Sequence, residues 1–249
     1  MPSDRTPEAS SVVAATAKAL LFDLDGTLVD TTVAVESAWR WAAEQLDVPF
    51  SRLEPYIHGI PADQALARAV PELSERTRVN LSIEVLARQA DPGLPVSAMP
   101  GALDLLAAIP HGAWAIVTSG DEFLARSSID KAGLPAPSVL ITADDINDGK
   151  PHPDPFMQAI RRLGVSADDC IAVEDSPAGI SSAVSAGVRV LAVGATFPHD
   201  LLLDATWLIP KLSHLSASID IDRITLRMGA ARSGSSRGGD PAPGCGTAG

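Results

Sequence analysis

Asp23 and Asp25 stand two residues apart, directly after the short apolar run Ala19-Leu20-Leu21-Phe22. At a strand end, two carboxylates so spaced lean toward one site. There they repel each other, and one holds a proton unless a cation intervenes. A hard divalent ion resolves the repulsion, and Mg2+ favours carboxylate and phosphate oxygens in an octahedral array. Three further groups suit the same site. Thr118 and Ser119 follow Trp114-Ala115-Ile116-Val117, Lys150 lies in Gly149-Lys150-Pro151, and Glu174-Asp175-Ser176 follow Ile171-Ala172-Val173. Together these residue types suit phosphoryl transfer. Mg2+ and Lys150 neutralise a phosphate so that an anionic carboxylate can attack it. Thr118 and nearby N–H groups hold phosphoryl oxygens. One aspartate acts as nucleophile, and the other is acid to the leaving alkoxide and then base for water. The residue types alone leave open which aspartate does which.

These groups need a scaffold that gathers them. After Pro100-Gly101 the spacing predicts helices over 102–109, 122–132, 154–163 and 177–186, alternating with strands over 114–117, 139–142, 171–173 and 188–193. Gly133, Gly164 and Gly187 stand where helices are expected to close. Short apolar strands alternating with helices imply an α/β fold, a doubly wound, Rossmann-like parallel sheet with helices on both faces. In such sheets ligands bind beyond the carboxyl ends of the strands. The four groups all follow strand ends or the loops beyond them, so they are expected to converge on one edge. Residues 31–97 differ. Val35, Ala38, Trp39 and Ala42 repeat at helical spacing, and no convincing strand is present. The chain therefore divides into a catalytic core of 18–31 and 98–227, interrupted by an inserted α-helical cap over 32–97. Residues 1–17 read as a flexible leader, and the Gly-, Ser-, Ala- and Pro-rich stretch 228–249 as a disordered tail. Trp39, Trp41 and Trp114 are expected to pack in the core or the cap.

Composition narrows the partners. The 249 residues carry a formal net charge of −12, with 46% hydrophobic and 20% charged residues, as in a soluble enzyme. That charge repels polyanions, which argues against nucleic acid and anionic membrane. No apolar run reaches the roughly 18 residues that span a bilayer. Asp4 and Glu8 replace the basic start of a secretory signal. Cys170 lies in an apolar run and Cys245 in the tail, so no disulfide is expected and the setting reads as reduced and cytoplasmic. The expected partner is a small phosphorylated carbohydrate or polyol, met by a monomer or weak homo-oligomer.

The motifs Asp23-Leu24-Asp25-Gly26-Thr27-Leu28-Val29-Asp30, Val117-Thr118-Ser119, Gly149-Lys150-Pro151 and Glu174-Asp175-Ser176-Pro177-Ala178-Gly179 resemble, in order, the four motifs of the haloacid dehalogenase-like hydrolases. The likeness covers roughly Leu20 to His214. It implies that Asp23 is the nucleophile, forming a phospho-aspartate, and Asp25 the acid/base. It also implies that Thr118, Ser119 and Lys150 bind phosphate. Mg2+ is then held by Asp23, the backbone carbonyl of Asp25 and Asp175. The helical block resembles the cap of one subclass, and further stretches resemble its sugar, hexitol and glycerol-phosphate phosphatases. Glu174 is a secondary candidate, as apt to orient its loop as to touch the metal. His58 is another, read first as a structural loop residue. Two departures bear on substrate. Pro61-Ala62 stand where many glycerol- and deoxysugar-phosphate phosphatases carry Arg-Thr, and the related phosphoglucomutases carry a cap arginine near Ala62 and a histidine at Val35. A sugar phosphomutase is the alternative reading, distinguished by phosphate release without a bisphosphate activator. A non-catalytic phosphoacceptor or binding protein comes after it, because such a protein need not retain Asp25.

Overall fold

A computed structural model describes residues 13–194 and 196–229. Its first strand, β1 (Val13–Ala17), runs within one residue into β2 (Ala19–Phe22), whose four side chains are all buried. β2 lies between β5 (Trp114–Val117) and β7 (Cys170–Glu174). Beyond β5 lies β6 (Val139–Ile141), and beyond β7 come β8 (Arg189–Val193) and β9 (Trp207–Ile209). All five pairings of this six-stranded sheet are parallel.

Burial on both faces explains why these strands read as continuous apolar runs. Leu20, Phe22, Trp114, Ile116, Ile171 and Val173 join one core with residues of α4 (Ala102–Ala107) and α5 (Glu122–Lys131). Leu21, Ala115, Val117 and Ala172 join the other with Phe156 and Ala159 of α6 (Asp154–Leu163) and Ile180 and Ala183 of α7 (Pro177–Ser185). The sheet is thus doubly wound, as its sequence pattern predicts. Phe22 and Trp114 meet edge-on with centroids 6.4 Å apart, and burial of each ring contributes about 2–3 kcal/mol. The chain builds outward through β5 and β6, then crosses to β7, β8 and β9. β2 therefore sits where the winding direction reverses, the place where a crevice opens at the carboxyl ends.

The helical block comprises α1 (Thr32–Gln45), α2 (Ala62–Ala69) and α3 (Glu75–Gln89), around a core of its own that includes Val35, Trp39, Leu53, Leu66 and Val85. Its two connections to the sheet domain pair with each other. β3 (Val29–Asp30) runs antiparallel to β4 (Ser97–Ala98), with Val29 opposite Ala98 and Asp30 opposite Ser97. Entry and exit lie side by side, so the block is a true insertion between β3 and β4.

The expected loose leader is corrected over its last five residues. β1 pairs with β11 (Arg223–Met228), and β11 with β10 (Leu215–Asp220), in a second, antiparallel sheet. Val13-Ala14-Ala15-Thr16-Ala17 has too little apolar bulk to announce itself. Its order comes from the ladder with β11, and its small residues Ala15 and Ala17 lie opposite buried Leu226 and Ile224. At the other end β11 extends through Met228, one residue into the expected tail; the rest of the tail from 230, with Cys245, and the leader before 13 lie outside the described residues. Cys170 is buried with a free thiol. Among the described residues no helix is long and apolar enough to cross a membrane.

Candidate active site

The loop after β2 is short and self-bonded. Asp23 N donates to Val173 O of β7 at 2.9 Å, and the amides of Leu28 and Val29 both donate to Leu24 O at 2.9 Å. Leu24 and Leu28 are fully buried and anchor this loop. Asp23 and Asp25 flank Leu24, one on either side in sequence, and project together toward the crevice. Gly26, with φ +87°, is required here twice over. The backbone angle favours glycine, and a Cβ would overlap the Asp175 carboxylate.

Lys150 ties three strand ends together. Its Nζ donates to Asp23 Oδ1 at 2.6 Å, Glu174 Oε1 at 2.7 Å and Val117 O at 2.9 Å. An ammonium has three protons, so every donor is used. The side chain is 1% exposed. Burial alone would lower its pKa, but the carboxylates of Asp23 and Glu174 outweigh that and raise it, so Lys150 is charged.

Glu174 is equally saturated. Its Oε2 accepts from Asp175 N at 2.8 Å, Ser176 N at 2.8 Å and Ser176 Oγ at 3.0 Å. Ser176 Oγ in turn caps α7 by accepting from Gly179 N at 3.1 Å. A Cβ at Gly179 would overlap the Glu174 carboxylate. Glu174 thus shapes the loop that presents Asp175, whose Oδ1 accepts from Thr27 Oγ1 at 3.4 Å. Asp25 Oδ1 accepts from Thr31 Oγ1 at 2.9 Å, and its Oδ2 faces Thr118 Oγ1 at 3.5 Å. Thr118 Oγ1 accepts from Gly120 N at 3.1 Å, and Ser119 Oγ donates to Gly59 O of the helical block at 3.4 Å.

Carboxylates outnumber cations here. Ligand atoms of Asp23, Glu174 and Asp175 all lie within 4.8 Å of one another. Burial pushes Asp23 well above the usual carboxylate range; Lys150 draws it back, while Glu174, Asp175 and Asp25 add to the rise. Burial, then the Glu174 charge, pushes Asp175 up to about 7. Asp25 is also raised by burial, against the hydrogen bond from Thr31. One buried lysine cannot balance four acids, and oxygen donors this close fit a hard divalent cation. Asp23 and Asp175 have carboxylate oxygens to offer it. The Asp25 carboxylate is engaged by Thr31 and Thr118 and stands outside the clustered group.

The expected residues Asp23, Asp25, Thr118, Lys150, Glu174 and Asp175 are therefore brought to one crevice, and Ser119 to its rim. His58 lies on the rim as well, between a cavity of about 60 Å³ that reaches Asp25 and a larger one of about 370 Å³. Burial lowers the His58 pKa, opposed by the charges of Asp25 and Glu36. Trp39 and Trp114 are buried, and Trp41 lies under the Arg88 guanidinium at 3.8 Å. Two residues escaped the sequence reading. Thr31 carried no signal beyond proximity to the acidic loop. Gln89 carried one, since it is a polar residue on the otherwise apolar stripe Leu81, Val85, Gln89 of α3.

The doubly wound sheet, with acids, a hydroxyl and a buried lysine gathered at its reversal point, defines a hydrolase of the aspartate-centred α/β class. The chain belongs to the haloacid dehalogenase-like hydrolases, whose family model matches residues 17–187. It is 41% identical over 207 residues to hexitol phosphatase A of Escherichia coli, covering 81% of this chain and 94% of that one. It is 32% identical over 198 residues to glycerol-1-phosphate phosphohydrolase 2 of Saccharomyces cerevisiae, covering 74% and 77%. The fold matches the crystal structure of CbbY from Rhodobacter sphaeroides with a TM-score of 0.69 at 23% identity, over 79% of this chain and 95% of that one.

Proposed function

We propose that this protein is a Mg2+-dependent phosphatase of small sugar or polyol phosphates, with Asp23 as nucleophile and Asp25 as acid/base. The observation that carries the reading is the meeting of Asp23, Asp25, Lys150 and Asp175 at one sheet edge, each from a different strand end or loop save the first two. Relatives that act on hexitol and glycerol phosphates support the substrate class.

In this reading Asp23 attacks phosphorus while the bond to the leaving oxygen breaks, and Asp25 gives that oxygen its proton. The raised pKa of Asp25 suits a group that must begin protonated. The ionised Asp25 then takes a proton from water as the water attacks phosphorus, which frees phosphate and restores Asp23. Asp23, Asp175 and the backbone carbonyl of Asp25 would hold Mg2+, which would supply charge neutralisation at the phosphate. Lys150 fixes Asp23 in place and favours its ionised form against burial and the neighbouring acids, and its charge assists at the same phosphate. Thr118 and Ser119 border the phosphate position.

The helical block lies over the crevice, its Gly59 carbonyl within reach of Ser119. That cover suits small substrates and excludes water. The phosphomutase alternative needs a grip on a second phosphate. Among the described residues no lysine or arginine lines the three cavities beside His58. A reduced cytoplasmic setting, and a monomer or weak homo-oligomer that binds no nucleic acid, complete the proposal. The test is phosphate release from a panel of hexose, hexitol, pentose and glycerol phosphates, without any bisphosphate activator. Release that stops in EDTA and in Asp23→Asn is expected; release that survives either treatment refutes the mechanism.

A further inference from the structure

The cavity beside Asp25 is lined by two polar side chains that the reaction above does not use, His58 and Gln89. Gln89 is the last residue of α3 and faces inward on the stripe Leu81, Val85, Gln89. It is 8% exposed and lines the cavity together with Asp25, Trp39, His58 and Ser119. Its carboxamide takes part in none of the side-chain hydrogen bonds among the described residues. A primary amide carries two donor protons and an acceptor oxygen, and those of Gln89 are not among the buried unpartnered atoms, so they open to the cavity and are free to bond a ligand there. Such a group on an apolar stripe needs a reason, and a ligand in the cavity provides one.

The surroundings fit the amide to a ligand of one kind. Lys131 of α5 donates to Ala90 O at 3.2 Å and to Asp91 O at 2.6 Å, pinning the end of α3 to the sheet domain beside Gln89. The amide is therefore held at a set distance from the acids. Lys131 bonds backbone carbonyls and does not line the cavities, and apart from His58 the titratable side chains that do line them are acidic. Asp25 and Asp175 border its own cavity, and Asp30 and Glu36 border the one beyond His58. A second phosphate or a carboxylate on the substrate would meet repulsion there, whereas hydroxyl groups find an amide, a serine hydroxyl and carboxylates.

We propose that Gln89 is a specificity-determining residue whose carboxamide hydrogen-bonds hydroxyls of an uncharged polyol leaving group in the cavity beside Asp25. This subsite rests on the phosphatase reading and gives it a substrate chemistry.

The test compares a hexitol phosphate with n-hexyl phosphate, which has the same carbon count and type of leaving oxygen but no hydroxyls. Gln89→Met keeps length and volume and removes the hydrogen bonds. The ratio of kcat/KM for the hexitol ester to that for the hexyl ester is expected to fall about tenfold, the effect of one lost neutral hydrogen bond. Most of the change should appear in KM. Gln89→Glu, which can still accept from hydroxyls, should restore most of the ratio. A ratio unchanged in Gln89→Met, or both esters weakened alike, overturns the subsite while the phosphatase reading stands. Wild-type protein that releases phosphate from neither ester overturns the subsite, and if it also releases none from the panel above, the phosphatase reading falls with it.

Discussion

Replacing Lys150 by methionine should both destabilise the fold and disable the site. The ammonium is fully buried and bonded to Asp23, Glu174 and the Val117 carbonyl. Methionine fills most of the same space, so packing changes little. The electrostatic change is large, because two buried carboxylates lose their counter-charge. Breaking a buried ion pair in this way costs about 3–5 kcal/mol. The wild-type pKa of Lys150 is raised on folding, so its stabilisation is present below its unfolded value of about 10 and is lost only above that. The carboxylates stranded in Lys150→Met can take up protons, so the loss should grow as pH rises from about 6 to 9. Without Lys150, Asp23 has less reason to ionise, and kcat at saturating Mg2+ should fall by about 10²–10³, as for loss of a preorganised charge at a reacting centre. Urea unfolding followed by circular dichroism, with phosphate release measured in parallel, reads both effects. Adding Glu174→Gln removes one stranded carboxylate and should recover about 0.5–3 kcal/mol of the stability. A single variant with the wild-type unfolding midpoint and near-normal kcat would refute the reasoning, and so would a double variant less stable than the single one.

Asp25→Asn should lower kcat on alkyl phosphates by about 10²–10⁴, with the unfolding midpoint retained. The loss should shrink on a nitrophenyl ester, whose leaving group needs no proton; equal losses on both would count against Asp25 as the acid. Asp175 has a folded pKa near 7, above its unfolded value of about 3.9, so the folded protein binds the extra proton. In EDTA the melting temperature should therefore fall as pH rises from about 4 to 7, and saturating Mg2+ should flatten that slope; a metal-free protein that gains stability over this range contradicts it. Gly179→Ala puts a methyl where the Glu174 carboxylate lies, and four donors hold that carboxylate in place. The change should cost about 1–3 kcal/mol by urea unfolding and lower turnover as Asp175 shifts; wild-type stability would mean that Glu174 can move aside.

Local signals explain what could be read from sequence. Trp114–Val117 was expected as a strand over the same four residues, because apolar runs bounded by loops mark strands buried on both faces. The residues after β2, β5 and β7 could be grouped at one edge because parallel strands all present their carboxyl ends to the same side. What escaped depends on contacts between distant positions. β1 is small-residue sequence made ordered by β11, and β10, Leu215–Asp220, alternates weakly and is half exposed. The partners of Lys150 lie 127, 33 and 24 positions away along the chain. Spacing could put that lysine near a phosphate but could not show that all its protons are spent on Asp23, Glu174 and a carbonyl. Glu174 shows the same limit. Its carboxylate could be expected to orient a loop or to touch metal, and only coordinates reveal three donors on one of its oxygens.

The two-residue ribbon of β3 and β4 leads directly into Thr31, which sits between Asp30 of the ribbon and the first residue of α1. Thr31 is also the residue whose hydroxyl bonds Asp25. Were the helical block to tilt about this narrow neck, the same threonine would turn with it. Under the proposed function, admission of a substrate and the setting of Asp25 would then be geared together by one side chain.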